Sequence, residues 1–362
     1  MQEKTEVKVP TASSIFFKAT LLSLLFVGVM LLVTALGVAL FGYSKLNQFA
    51  KQAHTTPTEL KTVVTTALQT TPKQTDGYKT ILLLGVDTVT NKPNSPELTD
   101  TLLLLSINMD TGKISTLSLP RDLWAPAYQT RINALYEYGK EKYPQRPEQF
   151  PEEVISELTG ITIDHTITLS LGTVAEIIDI LGGIDVDVVE GFVDTQFPRE
   201  DIDIHTATSQ TQLYETISFE KGLQHMDGAT TLKYIRSRKS TDLSQGTDVA
   251  RSQRQQQVIS ALISRIQNFS IFKDVDAFAQ LYVLYSDTFE KQFTKVEAIA
   301  TLNYLLPYLE TIDLNSNSLT IYPDDKNGVI TNPPVSKYKG QWVYEIRDLA
   351  NFQTEVKKSL RE

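Results

Sequence analysis

The sequence predicts an α/β protein: an α/β/α sandwich around a mixed central sheet, preceded by one transmembrane helix and followed by a small α/β extension. Three observations predict it. The runs ILLLGV (81–86) and LLLLSI (102–107) are continuously apolar, as in strands covered on both faces. Beyond residue 150, helical and strand patterns alternate, which implies helices layered over one sheet. Residues 19–44 form a stretch of 26 without a charge, between Lys18 and Lys45, where roughly 20 apolar residues suffice to cross a bilayer.

Taken in order, residues 1–18 read as a short cytoplasmic tail. Residues 19–44 read as the membrane helix, because a cleaved signal peptide has a shorter apolar region. Lys4, Lys8 and Lys18 precede it and Lys45, Lys51 and Lys61 follow it, so the basic residues orient it weakly. The short tail is expected to stay inside, with the main domain extracytoplasmic. Residues 45–76 are polar and Thr-rich, a spacer lifting a domain off the bilayer.

The main domain is expected over 77–266. Its first strand runs from Lys79 and ends at Asp87. A polar loop leads to Asp100 and a second strand, 101–108. The turn MDTG (109–112) closes a hairpin with a third strand, 113–119, which ends in Pro120, Arg121 and Asp122. Asp87, Asp100 and Arg121 therefore gather at one end of the sheet, a usual place for a site. Either aspartate alone would read as a turn or capping residue; together with Arg121 they read as functional. A helix follows at 151–160, a strand at 165–171, a glycine-ended helix at 173–183 and a strand at 184–189. Residues 191–218 are polar and expected as a long loop. Asp227 is the expected N-cap of a short helix reaching Arg238.

Composition narrows the function. With 43 acidic against 34 basic residues and a net charge of −9, general nucleic-acid binding is disfavoured. Cysteine is absent, which excludes disulfides, thiolate metal sites and a cysteine nucleophile. The four histidines show no metal-ligand spacing. Against this acidic background, residues 233–254 hold six basic side chains: Lys233, Arg236, Arg238, Lys239, Arg251 and Arg254. A helix begins after Thr247, with a buried stripe of Val258, Ile259, Leu262 and Ile266. Projected back one turn, the stripe places Arg251 and Gln255 on its middle line and Arg254 on its edge.

An inward guanidinium needs a partner. Asp242 or Asp248 could serve Arg251 alone. Arg121, Arg236, Arg238 and Arg251 together outnumber such carboxylates, and Arg forks match phosphate oxygens, so a phosphate or pyrophosphate is the expected anion. Asp87 and Asp100 beside a phosphate imply a bridging divalent cation, Mg²⁺ with Mn²⁺ as a substitute. The whole reads as a phosphoryl-transfer site in a chain with no P-loop and no kinase signature.

On these residues the chain resembles the LytR–CpsA–Psr family of cell-wall ligases. The matching pieces are LLLGVDT (82–88), TDTLLLLSIN (99–108), SLPRD (118–122), RINALYEYG (131–139), GGIDVDV (182–188), GLQHMDGATTLKYIRSR (222–238) and DVARSQRQQQV (248–258). They cover roughly residues 78–266. The resemblance implies a membrane-anchored enzyme that takes a glycopolymer from a polyprenyl-pyrophosphate carrier and transfers it, as a phosphodiester, to peptidoglycan or another wall acceptor. It implies Asp87 and Asp100 as Mg²⁺ ligands. Catalysis would rest on Asp87, Asp100 and Arg121. Pyrophosphate binding would fall to Arg121, Arg131, Arg236, Arg238, Arg251, Arg254 and Gln255. One departure is Leu98, where the family commonly carries arginine; that phosphate contact is then either missing or supplied by another residue such as Arg131 or Lys92. A loop longer than usual between Arg238 and Asp248 is another. The rival readings are a non-catalytic module that binds lipid-linked polymer, a polyprenyl-pyrophosphate hydrolase, and a transcriptional regulator supported only by the basic cluster. Residues 267–362 are expected as an α/β extension packed on the core, either structural or acceptor-binding.

Overall fold

The computed structural model describes residues 42–86, 96–199, 209–242, 244–268, 274–308 and 314–362. The chain divides into two compact units, residues 1–60 and 61–362. In the first, residues 42–52 are helical, and Glu59 accepts hydrogen bonds from Thr55 and from the Thr56 N–H. Helix α1 (Pro57–Gln69) follows.

The expected membrane helix is a correction. Among the described residues no helix is long and apolar enough to cross a membrane. Residues 19–41 of that expected span lie outside the described residues. Its last three, 42–44, open a short helix that also carries Lys45 and Lys51.

The second unit is built on a five-stranded mixed sheet. Strands β1 (Tyr78–Val86), β2 (Thr99–Asn108) and β3 (Ile114–Leu119) form an antiparallel meander. Between β3 and the next sheet strand lie β4 (Trp124–Ala125), β5 (Thr130–Arg131), helix α2 (Leu135–Lys142) and helix α3 (Gln149–Thr159). Strand β6 (His165–Ser170) then joins parallel to β1. Far along the chain, β11 (Leu314–Ser318) joins parallel to β3, giving the order β11-β3-β2-β1-β6. These directions bring the ends of β1, β3 and β6 and the start of β2 to one edge.

The two faces of this sheet are packed differently. On one face Leu82, Leu84, Leu102, Leu104 and Leu117 are at most 1% exposed. Helix α3 covers them with Phe150, Val154 and Ile155, and helix α9 (Leu349–Arg361) with Phe352, Val356 and Leu360. Each fully buried side chain of this kind contributes about 1.5–3 kcal/mol. On the other face Leu83, Leu105, Ile167 and Leu169 are only half-buried. Period-two alternation puts these four together through the pairs Leu83↔Leu103, Ile81↔Leu105, Leu83↔Ile167 and Gly85↔Leu169. Helix α4 (Leu171–Ile180) follows β6 directly, capped by Ser170.

A second core surrounds four strands. β7 (Ile184–Val188) pairs with β10 (Gly222–Met226), and β8 (Phe192–Pro198) pairs with β9 (Tyr214–Phe219). Helices α5 (Gly228–Arg236) and α6 (Asp248–Gln267) complete it through Tyr234, Ile235 and Val258. The expected loop at 191–218 thus contains a hairpin. A bulge between Asp194 and Phe197 breaks the alternation, which hides the strand pattern in FVDTQFP.

Residues beyond 267, expected as an extension packed on this domain, supply α7 (Val275–Thr288), α8 (Lys295–Leu305), β11 and α9. At the far end of β1, Lys79 is fully buried and its ammonium lies 2.5 Å from Glu297 of α8.

Candidate anion-binding site

Asp100 owes its position to a bulge. Gly85 pairs with Thr101 and Val86 with Thr99, so Asp100 is the extra residue of β2. Such a bulge re-aims a side chain at a sheet edge. A Cβ on Gly85 would lie 2.8 Å from the Thr101 Cβ, so the close approach of the strands here requires glycine.

Three arginines converge on the Asp100 carboxylate. Arg121, just past β3, donates through Nη1 to Oδ1 at 2.5 Å. Arg238 Nη2 lies 3.5 Å from Oδ2, and Arg251 Nη1 lies 4.0 Å from the same oxygen. They arrive from a strand end, from the segment after α5 and from the first turn of α6. Three guanidiniums around one carboxylate concentrate positive charge at this point, the electrostatics of an anion site. Beside them is a cavity of about 180 Å³. Asp100, Arg236, Arg238, Arg251 and Gln255 supply its polar lining, and Leu171, Phe197 and Ile235 part of its apolar wall. The Arg236 guanidinium sits 6.0 Å from the centre of the Phe197 ring, a cation–π contact.

The arginine segment after α5 is held by Asp194. This carboxylate, 1% exposed, accepts from Ser237 Oγ at 2.6 Å and from the N–H groups of Lys239 at 3.0 Å and Arg238 at 3.2 Å. Burial pushes its pKa up, but these hydrogen bonds, with one from the Gln196 N–H, outweigh burial and hold it below the ordinary carboxylate value. Sequence reasoning missed Asp194 because it lay in the presumed loop and three of its four donors here are backbone N–H groups.

Two other predicted residues stand elsewhere. Arg254 is 2% exposed; it donates to the carbonyls of Gln245 at 3.0 Å and Ser237 at 2.6 Å and lies 4.7 Å from the Phe192 ring centre. It is outside the cavity lining and ties the 237–245 loop to α6. Arg131 donates to Asp122 Oδ1 at 2.8 Å, and Asp122 Oδ2 lies 3.4 Å from Arg121 Nε. Arg131 therefore reaches the site through Asp122, which is 8% exposed. Asp87 and Lys92 lie outside the described residues. Leu98 is half-buried just before β2. Among the described residues no group of three or more His, Cys, Asp or Glu could hold a metal ion. Asp100 alone offers one carboxylate, which suits a cation such as Mg²⁺ only when phosphate oxygens and waters complete its shell.

Comparison with known proteins identifies the family. The family model described as the LytR_cpsA_psr family matches residues 40–320. The polyisoprenyl-teichoic acid–peptidoglycan teichoic acid transferase TagV of Bacillus subtilis (strain 168) is 28% identical over 207 residues, 55% of this chain and 46% of TagV. TagU of Oceanobacillus iheyensis, a transferase of the same description, is 31% identical, covering 52% of each chain. This chain thus spans about half the length of these curated relatives. TagT of B. subtilis is 22% identical over 83% of this chain and 84% of TagT. Among solved structures, the crystal structure of B. subtilis TagV superposes with a TM-score of 0.53 at 22% identity, over 79% of this chain and 98% of TagV. TagT bound to LIIa-WTA gives 0.51 at 20% identity, over 80% and 94%.

Proposed function

The chain belongs to the LytR_cpsA_psr family, and on that premise we propose that it transfers a glycopolymer phosphate from a polyprenyl-pyrophosphate carrier to a hydroxyl of peptidoglycan. The observation that carries this reading is the convergence of Arg121, Arg238 and Arg251 on Asp100 beside a half-buried apolar sheet face. A lipid pyrophosphate needs both: guanidiniums for its charge and an apolar surface for its chain. The half-buried Leu83, Leu105, Ile167 and Leu169 offer that surface, whereas the opposite face is sealed.

In the proposed reaction an acceptor oxygen attacks the phosphorus that carries the sugar. The bond from that phosphorus to the bridging oxygen breaks, and polyprenyl monophosphate leaves. The acceptor's proton passes to a base; Asp87 would help take it, more weakly while it also holds the cation. Arg236, Arg238, Arg251 and Gln255 hold the pyrophosphate, and Arg121 stabilises charge on the transferring group. Mg²⁺, or Mn²⁺, held by Asp100 and Asp87 with phosphate oxygens, would neutralise the pyrophosphate. Asp122 and Asp194 position the arginines. Peptidoglycan lies outside the cell membrane, so the site is assigned to the extracytoplasmic side. Relatives carrying the name of teichoic acid transferases support this class of donor.

The test is incubation of the purified chain with a polyprenyl-pyrophosphate saccharide, Mg²⁺ and peptidoglycan. Released polyprenyl phosphate and polymer in the wall fraction are expected, and Asp100→Asn should abolish both. Donor binding without either product would mean a non-catalytic binding module. Lipid phosphate without wall-bound polymer would mean a hydrolase.

A further inference from the structure

The chain has two tryptophans, and both lie in the short segments that hold the Arg121 loop. Trp124 follows Asp122 in β4; its N–H donates to the Tyr344 carbonyl, and the Tyr344 N–H donates to the Asp122 carbonyl, at 2.8 and 2.9 Å. Leu123, 1% exposed, points into the sheet core. Alternation from Leu123 into β4 therefore turns Trp124 to the opposite side. Trp124 is paired across the ladder with Arg131, so their side chains share that side. Arg131 in turn binds Asp122, which faces Arg121. One continuous row results: Asp100, Arg121, Asp122, Arg131 and then the Trp124 ring.

The Trp124 ring is half-buried and meets the half-buried Tyr338 ring edge to face, with centroids 4.8 Å apart at 66°. Lys337 and Glu345 form a 2.7 Å ion pair beside it. Aromatic rings left half-open on a surface, next to polar groups, match the two characters of a sugar ring: an apolar C–H face and a hydroxyl edge. Resting on the transferase reading above, we infer that Trp124 and Tyr338 form a pyranose subsite for the acceptor glycan.

The geometry favours the acceptor over the donor sugar. Arg238 and Arg251, which line the cavity, contact Asp100 through Oδ2, whereas Arg121, outside that lining, contacts it through Oδ1. In-line displacement puts the entering and leaving oxygens on opposite sides of phosphorus. With the lipid phosphate leaving from the cavity side, the acceptor enters from the side that Arg121, Asp122 and Trp124 share.

The test uses the full chain carrying Trp342→Phe, which leaves Trp124 as the sole tryptophan. The probe is a β-1,4-linked N-acetylglucosamine hexamer. Saturable quenching or a blue shift of Trp124 emission is expected. Tyr338→Ala should weaken that binding by roughly tenfold, and Tyr338→Phe, which keeps the ring, should retain it. Donor binding is measured on the same proteins by tryptophan-independent calorimetry with a short-chain polyprenyl pyrophosphate. Donor binding with no Trp124 response to the hexamer would overturn the subsite while leaving the transferase reading intact. Equal weakening of a saccharide-bearing donor by Tyr338→Ala would overturn its assignment to the acceptor. Hexamer binding in a protein that fails to bind donor would support the subsite and refute the transferase reading.

Discussion

Arg251 and Arg254 sit one turn apart on α6, both nearly buried, yet they do different work. Arg251 faces Asp100; Arg254 feeds two loop carbonyls and lies against Phe192. Arg254→Met would strand the Gln245 and Ser237 carbonyls, at about 1–3 kcal/mol, and should lower the melting temperature measured by circular dichroism. Arg251→Ala removes one of three cations crowded on one carboxylate. It should leave the melting temperature nearly unchanged but weaken donor binding, read by calorimetry, by about tenfold to a hundredfold. The sequence placed Arg251 and Gln255 on the inward line from periodicity alone, and they line the cavity. It could not separate Arg254 from them, because backbone carbonyls in a loop leave no mark in the side-chain pattern. Asp194 was illegible for the same reason: two of its donors are the N–H groups of Arg238 and Lys239.

At the scale of elements, β1 carries the site at one end and a buried charge cluster at the other. There His165, at the start of β6, lies 3.5 Å from Glu297 and against the Phe293 ring. Burial, then the charge on Lys79, hold its pKa below the ordinary 6.5, with Glu297 working the other way. The unfolded chain therefore takes up a proton at this residue before the folded protein does. Stability should fall as pH drops below 6.5, and His165→Gln should flatten the melting profile on the acid side of that value. The Glu297 carboxyl, held below 4.5 despite burial by the Lys79 ammonium and the Lys73 N–H, loses its contribution only at still lower pH. The β1–β2–β3 meander was readable because its apolar runs are uninterrupted and its turn is a strong signal. The β8–β9 hairpin was not, because the bulge at Asp194 shifts its alternation out of step. Asp194→Ala should loosen residues 237–240, seen as faster hydrogen exchange at Arg238 and Lys239.

For the whole molecule, the sheet and its core depend on residues far beyond the seven sequence pieces that carried the resemblance. Phe352 is fully buried against the strands. Phe352→Ala should cost about 3–5 kcal/mol, visible as a lowered midpoint in urea unfolding. Strand β11, read as LNSNS, has no apolar period, so nothing in its composition announced that it would join β3. The clamp made by 341–346 left no mark in the sequence either, since it is exerted by main-chain groups, the Tyr344 N–H and carbonyl.

That clamp of Tyr344 on the Asp122–Trp124 backbone has a consequence for synthesis. The arginine loop leaves the ribosome early, but the strand that braces it emerges much later. Until then the loop lacks its bracing hydrogen bonds, and closing so long an interval is a late, entropically uphill event. A nascent chain halted before that point would present guanidiniums without their support. Assembly of the site is therefore coupled to emergence of the strand around Tyr344.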